Sequence, residues 1–531
     1  MKKFIKTIKS NKVLSVLSVL IIGLLFILVA RVTYAFLAPV INKAQTNVVG
    51  TTDTVDDFKF ELGDALKLDA SPTTLKENGS NYTTNTTAKA LLKANSTKKT
   101  ATYNYYVYFL IKSNTFTYSD GSTPEIILTV TNPNGDEITS IDGLTYGTFN
   151  GVSGFDITTK KGLFNIANNH EITSNSSTTY TTQSWTIKIT YLNLSIDQSA
   201  NFGNSMKVNV YITKNEKKLT VADVCSSVQT LSSCIIAMDG KDDTLYHHTS
   251  TLANGAGDNS YRYAGASDQV NNFVCFGSTS SPCPTDNLYR IIGVFEDKVK
   301  LIKYDYANSN LLGTNGDYAS SSTPGSTYKG SLTSINTYSW NYNNDTTINN
   351  GYGSNIWSTS LLNRINLNTN YLNNIGTTWS NLIEDATWKV SGHTTIGVTP
   401  SKMYTAEITN AAKTYGPSNG TSKIGLMYLS DYGFAASPSA WTTTLSKYHG
   451  NDANGTSIKT INWMYVGHYD WTMTPNSSSS YNVFFLHNSG TVNIGNASFP
   501  FGSRPVMYLK YSVLYAGGSG TKDSPITLVV W

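Results

Sequence analysis

Leu288-Tyr289-Arg290-Ile291-Ile292-Gly293-Val294-Phe295, then Glu296-Asp297, then Lys298-Val299-Lys300-Leu301-Ile302-Lys303, reads as a β-hairpin. Its first arm is apolar almost throughout, which predicts a strand buried on both faces, and the acidic pair marks the turn. Such a strand needs a domain folded around it, and residues 241–531 supply one. Downstream, helical spacing predicts one helix from near Ser358, carrying Leu361, Leu362 and Ile365, and another over Trp379 to Trp388, carrying Leu382, Ile383 and Ala386. Short strands follow at Ile424 to Leu429, Trp471-Thr472-Met473, Val483 to His487 and Thr491 to Ile494 (turning at Asn488-Ser489-Gly490), Arg504 to Leu509, and Ile526 to Trp531. Few helices among many short strands predict an α+β domain.

Upstream the pattern is all β. Tyr103 to Ile111 is rich in aromatic and branched residues, and Glu125 to Thr131 leads through Asn132-Pro133-Asn134-Gly135 into Glu137 to Ile141. Ser184 to Leu192 sets Trp185, Ile187, Ile189 and Tyr191 on one face, and Met206 to Ile212 alternates likewise. That alternation predicts a β-sandwich over 51–215. Residues 78–100, saturated with Thr, Asn, Ser and Lys, read as an exposed loop with one helical turn at Ala88 to Ala94. Residues 216–240 read as a connector.

The chain begins with Lys2, Lys3, Lys6, Lys9 and Lys12, followed by eighteen uncharged residues from Val13 to Ala30. At about 1.5 Å per residue that run just crosses a hydrocarbon layer of roughly 30 Å. The lysines place the N-terminus in the cytoplasm and the rest outside the cell. The same features describe a signal peptide cut after Ala35, in Thr33-Tyr34-Ala35. The length of the run and Arg31 behind it favour a retained anchor over residues 1–35, with 36–50 as a tether. The first 31 residues hold six basic and no acidic residues; the remaining 33 basic and 35 acidic residues leave a net charge near −2, which excludes a nucleic-acid surface.

Four cysteines, Cys225, Cys234, Cys275 and Cys283, form two close pairs, read as two small-loop disulfides, although four cysteines allow three connectivities. Neither pair has metal-ligand spacing.

The anchor ending Val32-Thr33-Tyr34-Ala35-Phe36, followed by a β-rich domain, is similar to exported proteins of Firmicutes and related bacteria in the camelysin and TasA group, which implies a β-sandwich surface or biofilm-matrix protein. A generic immunoglobulin-like spacer has the same strand character. The later segments Leu288 to Gly293, Gly425-Leu426-Met427-Tyr428, Trp471-Thr472-Met473-Thr474-Pro475 and Ser503-Arg504-Pro505-Val506 resemble an uncharacterised family of bacterial surface domains. The ending also resembles the C-type-lectin-like and formylglycine-generating fold. The second of these needs a late catalytic cysteine, and both cysteine pairs here precede Leu288.

No catalytic set emerges. Gly416-Pro417-Ser418-Asn419-Gly420 matches G-x-S-x-G without the buried strand and helix of a nucleophile elbow. The histidines His170, His247, His248, His393, His449, His468 and His487 form no zinc signature; His247-His248 reads as a solvated loop pair, and His468 and His487 as hydrogen-bonded core residues. Asn451-Asp452-Ala453-Asn454-Gly455 offers calcium-type oxygens but lacks the closing glutamate, and Pro475-Asn476 stands without the rest of a lectin sugar motif. No cofactor or metal is implied. Among Trp441, Trp463, Tyr465, Tyr469, Trp471 and Tyr481, the reading places Trp441, Trp463 and Tyr465 partly exposed, as a ligand-binding surface. The sequence thus predicts a mainly β protein with an N-terminal transmembrane helix, a β-sandwich stalk and an α+β, C-type-lectin-like head. Its expected role is to bind extracellular protein or glycan from the cell membrane. The alternatives are a secreted matrix or fibre subunit and an extracellular enzyme with an unrecognised site.

Overall fold

The computed structural model describes residues 35–37, 55–64, 66, 68–70, 80–225, 228–323, 335–342, 349–411, 419–449 and 458–530. The run Val13 to Ala30, most of the 36–50 tether, Gly416-Pro417-Ser418 and Asn451 to Gly455 lie outside them. The fold is mainly β, built from several antiparallel sheets, and divides into two units at Lys218/Leu219. No helix among the described residues is long and apolar enough to cross a membrane.

In the first unit, one sheet runs in the order Leu68–Ala70, Ala35–Leu37, Ser205–Thr213, Ala101–Asn114, Gly162–Ser174. The other runs Asp57–Leu62, Tyr82–Lys93, Thr181–Tyr191, Ile126–Thr131, Val152–Asp156, Thr145–Phe149. Inward side chains of both sheets, among them Val107, Phe109, Leu128, Trp185, Ile187 and Val208, share one core. Ala35 and Phe36, either side of the expected cleavage point, lie in one strand, which pairs parallel with Ser205 and Met206 and antiparallel with 68–70.

The loop expected over residues 78–100 is corrected. Tyr82–Lys93 is a twelve-residue strand with Thr and Asn alternating outward and Ala88, Ala90 and Leu92 buried. Period-two burial of small side chains gives too faint a hydrophobic signal to stand out from the polar face. A buried carboxylate ties this unit's loops to its sheets: Glu125 accepts hydrogen bonds from Ser119 N (2.6 Å), Tyr191 OH (3.1 Å), Gln198 Nε2 (2.8 Å) and Asn201 Nδ2 (2.8 Å).

The hairpin anchors the second unit. Leu288–Phe295 pairs antiparallel with Lys298–Lys303, turning at Glu296 in a left-handed conformation, and the first arm is buried along almost its whole length. The sheet runs Leu245–His247, Tyr261–Tyr263, 288–295, 298–303, Val506–Tyr508, Ile424–Gly425, with Phe273–Cys275 also on 288–295. A bulge at Ile292 shifts the register so that Arg262, Gly293, Lys300 and Tyr508 stand side by side across four strands. Gly293 is required there, because a Cβ would lie 2.2 Å from the Tyr261 carbonyl oxygen. A second sheet joins Asp470–Pro475, Asn482–Leu486 and Val492–Asn496.

The cysteines pair as Cys225–Cys234 and Cys275–Cys283. Residues of the expected connector (Val221, Cys225, Leu231, Cys234, Ile235, Met238) belong to the second unit's core. The helix expected from Trp379 to Trp388 is also corrected: it ends at Ser380, and Ala386–Lys389 is a strand against Asn419–Ser422. Trp388 decides this, since a strand aims its ring at the bare face of Gly425 and its Nε1 at the Ser422 carbonyl (3.0 Å).

Candidate functional site

Two sites in the second unit carry the chemistry, one buried and one at the surface. The buried one hangs from the row across the sheet. Arg262 and Lys300 flank Gly293, and both reach Asp431, in the first turn of the short helix Leu429–Phe434. Lys300 Nζ lies 2.5 Å from Asp431 Oδ2, and Arg262 Nη1 lies 3.4 Å from Oδ1. All three side chains are almost fully buried. Asp431 Oδ2 also accepts the Tyr428 N–H (3.0 Å). Arg262 makes a second, closer pair with Asp258 (2.6 Å), which takes further bonds from Ser260 Oγ (2.6 Å) and Tyr404 OH (2.8 Å). Burial works against the charge on Asp258, but Arg262 and these hydroxyls outweigh it and hold its carboxyl below the usual range.

Lys300 sits in an aromatic cage. The ring centres of Tyr428, Phe295, Tyr508 and Trp388 lie 4.5, 5.3, 5.4 and 5.8 Å from Nζ. Removal from water lowers its pKa although Asp431 pulls the other way. Glu407 completes the cluster. Its carboxylate accepts the Leu429 and Ser430 N–H groups (3.0 and 3.2 Å) and the Thr474 hydroxyl (2.5 Å). Full burial pushes it up to about 7 in spite of those bonds. A second buried pair, Arg504 Nε to Asp470 Oδ2 at 2.6 Å, lies elsewhere in the unit.

The expectation that Trp441, Trp463 and Tyr465 stand partly exposed is corrected: they are 1%, 2% and 3% accessible. Each finds a backbone carbonyl for its polar edge, Trp441 Nε1 on Ala436 (2.9 Å), Trp463 Nε1 on Tyr263 (2.7 Å) and Tyr465 OH on Asn488 (2.7 Å). Irregular backbone leaves carbonyls unpaired, and a buried indole or phenol satisfies them. Trp471 is buried in the same way, with Nε1 on the Tyr338 carbonyl.

His248 is likewise corrected from a solvated loop residue to a fully buried one against Phe434 and Trp441, kept neutral by burial and by Arg262, which lower its pKa to about 3. His247 stacks on Tyr261 with ring centres 4.1 Å apart. His468 Nδ1 accepts the Tyr469 N–H (2.8 Å), and His487 bonds Ser489 and Tyr469. Asn476 fixes its own turn by accepting from Ser478 and bonds the Thr394 carbonyl. No group of three or more metal-ligating side chains is present among the described residues.

The surface site is an aromatic platform. Tyr352 and Phe499 are each 41% exposed. Tyr352 lies against Tyr481 with ring centres 5.2 Å apart, and Ser498 N bonds the Tyr352 carbonyl (3.2 Å), next in the chain to Phe499, whose ring meets Phe501 (5.9 Å). Asn349 uses its amide within the loop: Oδ1 accepts from Ser480 Oγ (2.6 Å) and Nδ2 donates to the Gly353 carbonyl (2.9 Å). A separate shallow cleft of about 380 Å³ is lined by Gly392, His393, Lys402, Asn410 and Ser477 among others, with no carboxylate or thiol in its wall. Tyr352 and Phe499 were missed in the sequence; the available signal was their setting, Gly351-Tyr352-Gly353 and Ser498-Phe499-Pro500, where turn-forming residues flank the ring on both sides.

No protein-family model, no curated protein and no solved structure matches the chain.

Proposed function

We propose that this chain is a membrane-anchored surface protein of the cell exterior, in which the first unit is a β-sandwich stalk and the second an α+β binding head. The observation that carries the reading is the exposed Tyr352 ring against Tyr481, with a second exposed ring at Phe499, an aromatic surface of the kind on which a sugar ring stacks. The apolar run Val13 to Ala30 behind five lysines supports the location, and two disulfides suit an oxidising compartment. The likeness to a C-type-lectin-like head belongs to this same reading. Its test is the purified full-length protein on a glycan array. Binding that weakens roughly 5- to 30-fold in Tyr352→Ala, about 1–2 kcal/mol, supports it. Glycan binding unchanged in Tyr352→Ala and Phe499→Ser, or silence across the array, defeats it.

One observation favours a matrix or fibre subunit instead. Gly162–Ser174 is a thirteen-residue strand at the edge of its sheet with one neighbour among the described residues, a template for pairing between chains. Concentration-dependent polymer in size-exclusion chromatography, abolished by Ile166→Pro, would select that reading; a monomer at all concentrations removes it.

A further inference from the structure

We propose that Lys300 and Asp431 are joined by an intramolecular isopeptide bond between Nζ and Cγ, formed by the protein on itself with Glu407 carrying the proton. The reacting groups are already in contact, with Nζ 2.5 Å from Oδ2. They come from elements 131 residues apart in the chain and are held by a rigid frame, so the reaction is effectively unimolecular. The ion pair here is short of hydrogen bonds, although ring faces attract the cation. An ammonium has three hydrogens to donate, and among the described residues Asp431 is its one hydrogen-bond partner, with four aromatic ring faces around Nζ and the like charge of Arg262 at the same carboxylate. An amide in that cage has one N–H and no charge. Removing both charges leaves the cluster balanced, because Arg262 keeps its closer partner Asp258.

The chemistry needs no outside reagent. Within the contact pair a proton passes from the ammonium to the carboxylate, giving an amine and a carboxylic acid. Burial, which lowers the lysine, favours this exchange. The nitrogen lone pair attacks Cγ, and negative charge grows on Oδ1, where Arg262 Nη1 lies 3.4 Å away. The nitrogen then gives up a proton, Oδ2 receives one, and the C–Oδ2 bond breaks to release water. One amine and one carboxylic acid become one secondary amide and one water, with no change of oxidation state. Glu407 is suited to carry that proton. It is fixed by the N–H groups of Leu429 and Ser430, the two residues preceding Asp431, which hold its carboxyl at the first turn of the helix that carries Asp431. At about 7 it can give and accept a proton near neutrality.

Peptide mapping of the reduced full-length protein tests this whatever happens at the N-terminus. Trypsin should release 299–303, uncut at Lys300, covalently joined to 424–447, with a mass equal to the two peptides less one water. Separate peptides, with cleavage after Lys300, overturn the proposal. The wild-type map is decisive by itself, so the conclusion does not hang on a variant that fails to fold. Glu407→Gln should carry the free peptides in freshly purified protein; a complete cross-link in that variant overturns the proton-carrying role of Glu407.

Discussion

Glu407→Gln should flatten the pH dependence of the second unit's stability. The carboxyl sits at about 7 when folded against an ordinary 4.5, because burial raises it. The folded chain therefore keeps a proton that the unfolded chain releases. The resulting stability is fully present below pH 4.5 and is lost as pH rises through 7. Carried through the linkage relation, those two values give a loss of about 2.5 kcal/mol between pH 5 and pH 8. Glutamine cannot titrate. It keeps a carbonyl oxygen for one partner but turns an NH2 toward a backbone N–H, a penalty of about 1–3 kcal/mol that is the same at every pH. The assay is urea unfolding at pH 5, 6, 7 and 8, followed by tryptophan fluorescence. Trp185 is the one tryptophan before Leu219, so the signal reports the second unit. Other buried groups titrate as well, and the difference between wild type and variant isolates Glu407 when peptide mass shows the Lys300–Asp431 pair in the same state, linked or free, in both samples. Parallel wild-type and variant curves from pH 5 to 8 would refute the assignment.

Gly293→Ala should destabilise the second unit by about 2–3 kcal/mol or abolish its folding, since the new methyl must push back the Tyr261 backbone; near-normal urea unfolding would count against the close strand approach. Glu125→Ala removes the acceptor of four donors in the first unit and should cost about 3–5 kcal/mol there, read by circular dichroism, with the fluorescence transition of the second unit unmoved. Replacing Cys225 and Cys234 by alanine opens a loop with a sequence separation of 9 and should cost the second unit about 2–3 kcal/mol; a loss under half of that would mean the bridge constrains little in the unfolded chain.

The hairpin at 288–303 was legible because both its signals are strong, an arm apolar but for Arg290 and an acidic turn. Tyr82–Lys93 was not, because Ala88 and Ala90 bury little area and its Thr and Asn face dominates the reading. The burial of Trp441, Trp463 and Tyr465 is hidden from the sequence for a related reason. A loop-rich stretch can bury tryptophan when its own carbonyls receive the indole, and no sequence pattern announces which carbonyls are free. The Lys300 cluster left one trace. A lysine between Val299 and Leu301, in the strand beside an arm buried on both faces, has little access to water, but its partners lie over 100 residues away at Glu407 and Asp431. Linear spacing holds no record of a meeting arranged by the sheet.

The order of strands across Arg262, Gly293, Lys300 and Tyr508 also bears on how the chain is born. Strand 298–303 lies beside Val506–Tyr508, some 200 residues later in synthesis, and closing a loop of that length costs about 5 kcal/mol before any contact repays it. Until Val506 to Tyr508 has left the ribosome, the apolar hairpin lacks a neighbour along one edge and the lysine cage lacks its Tyr508 wall. A long, sticky nascent segment must therefore be kept from its own kind while it waits. The second unit should fold late and all at once, and a ribosome stalled shortly before codon 506 should leave a product that proteases clear rather than a shortened working head.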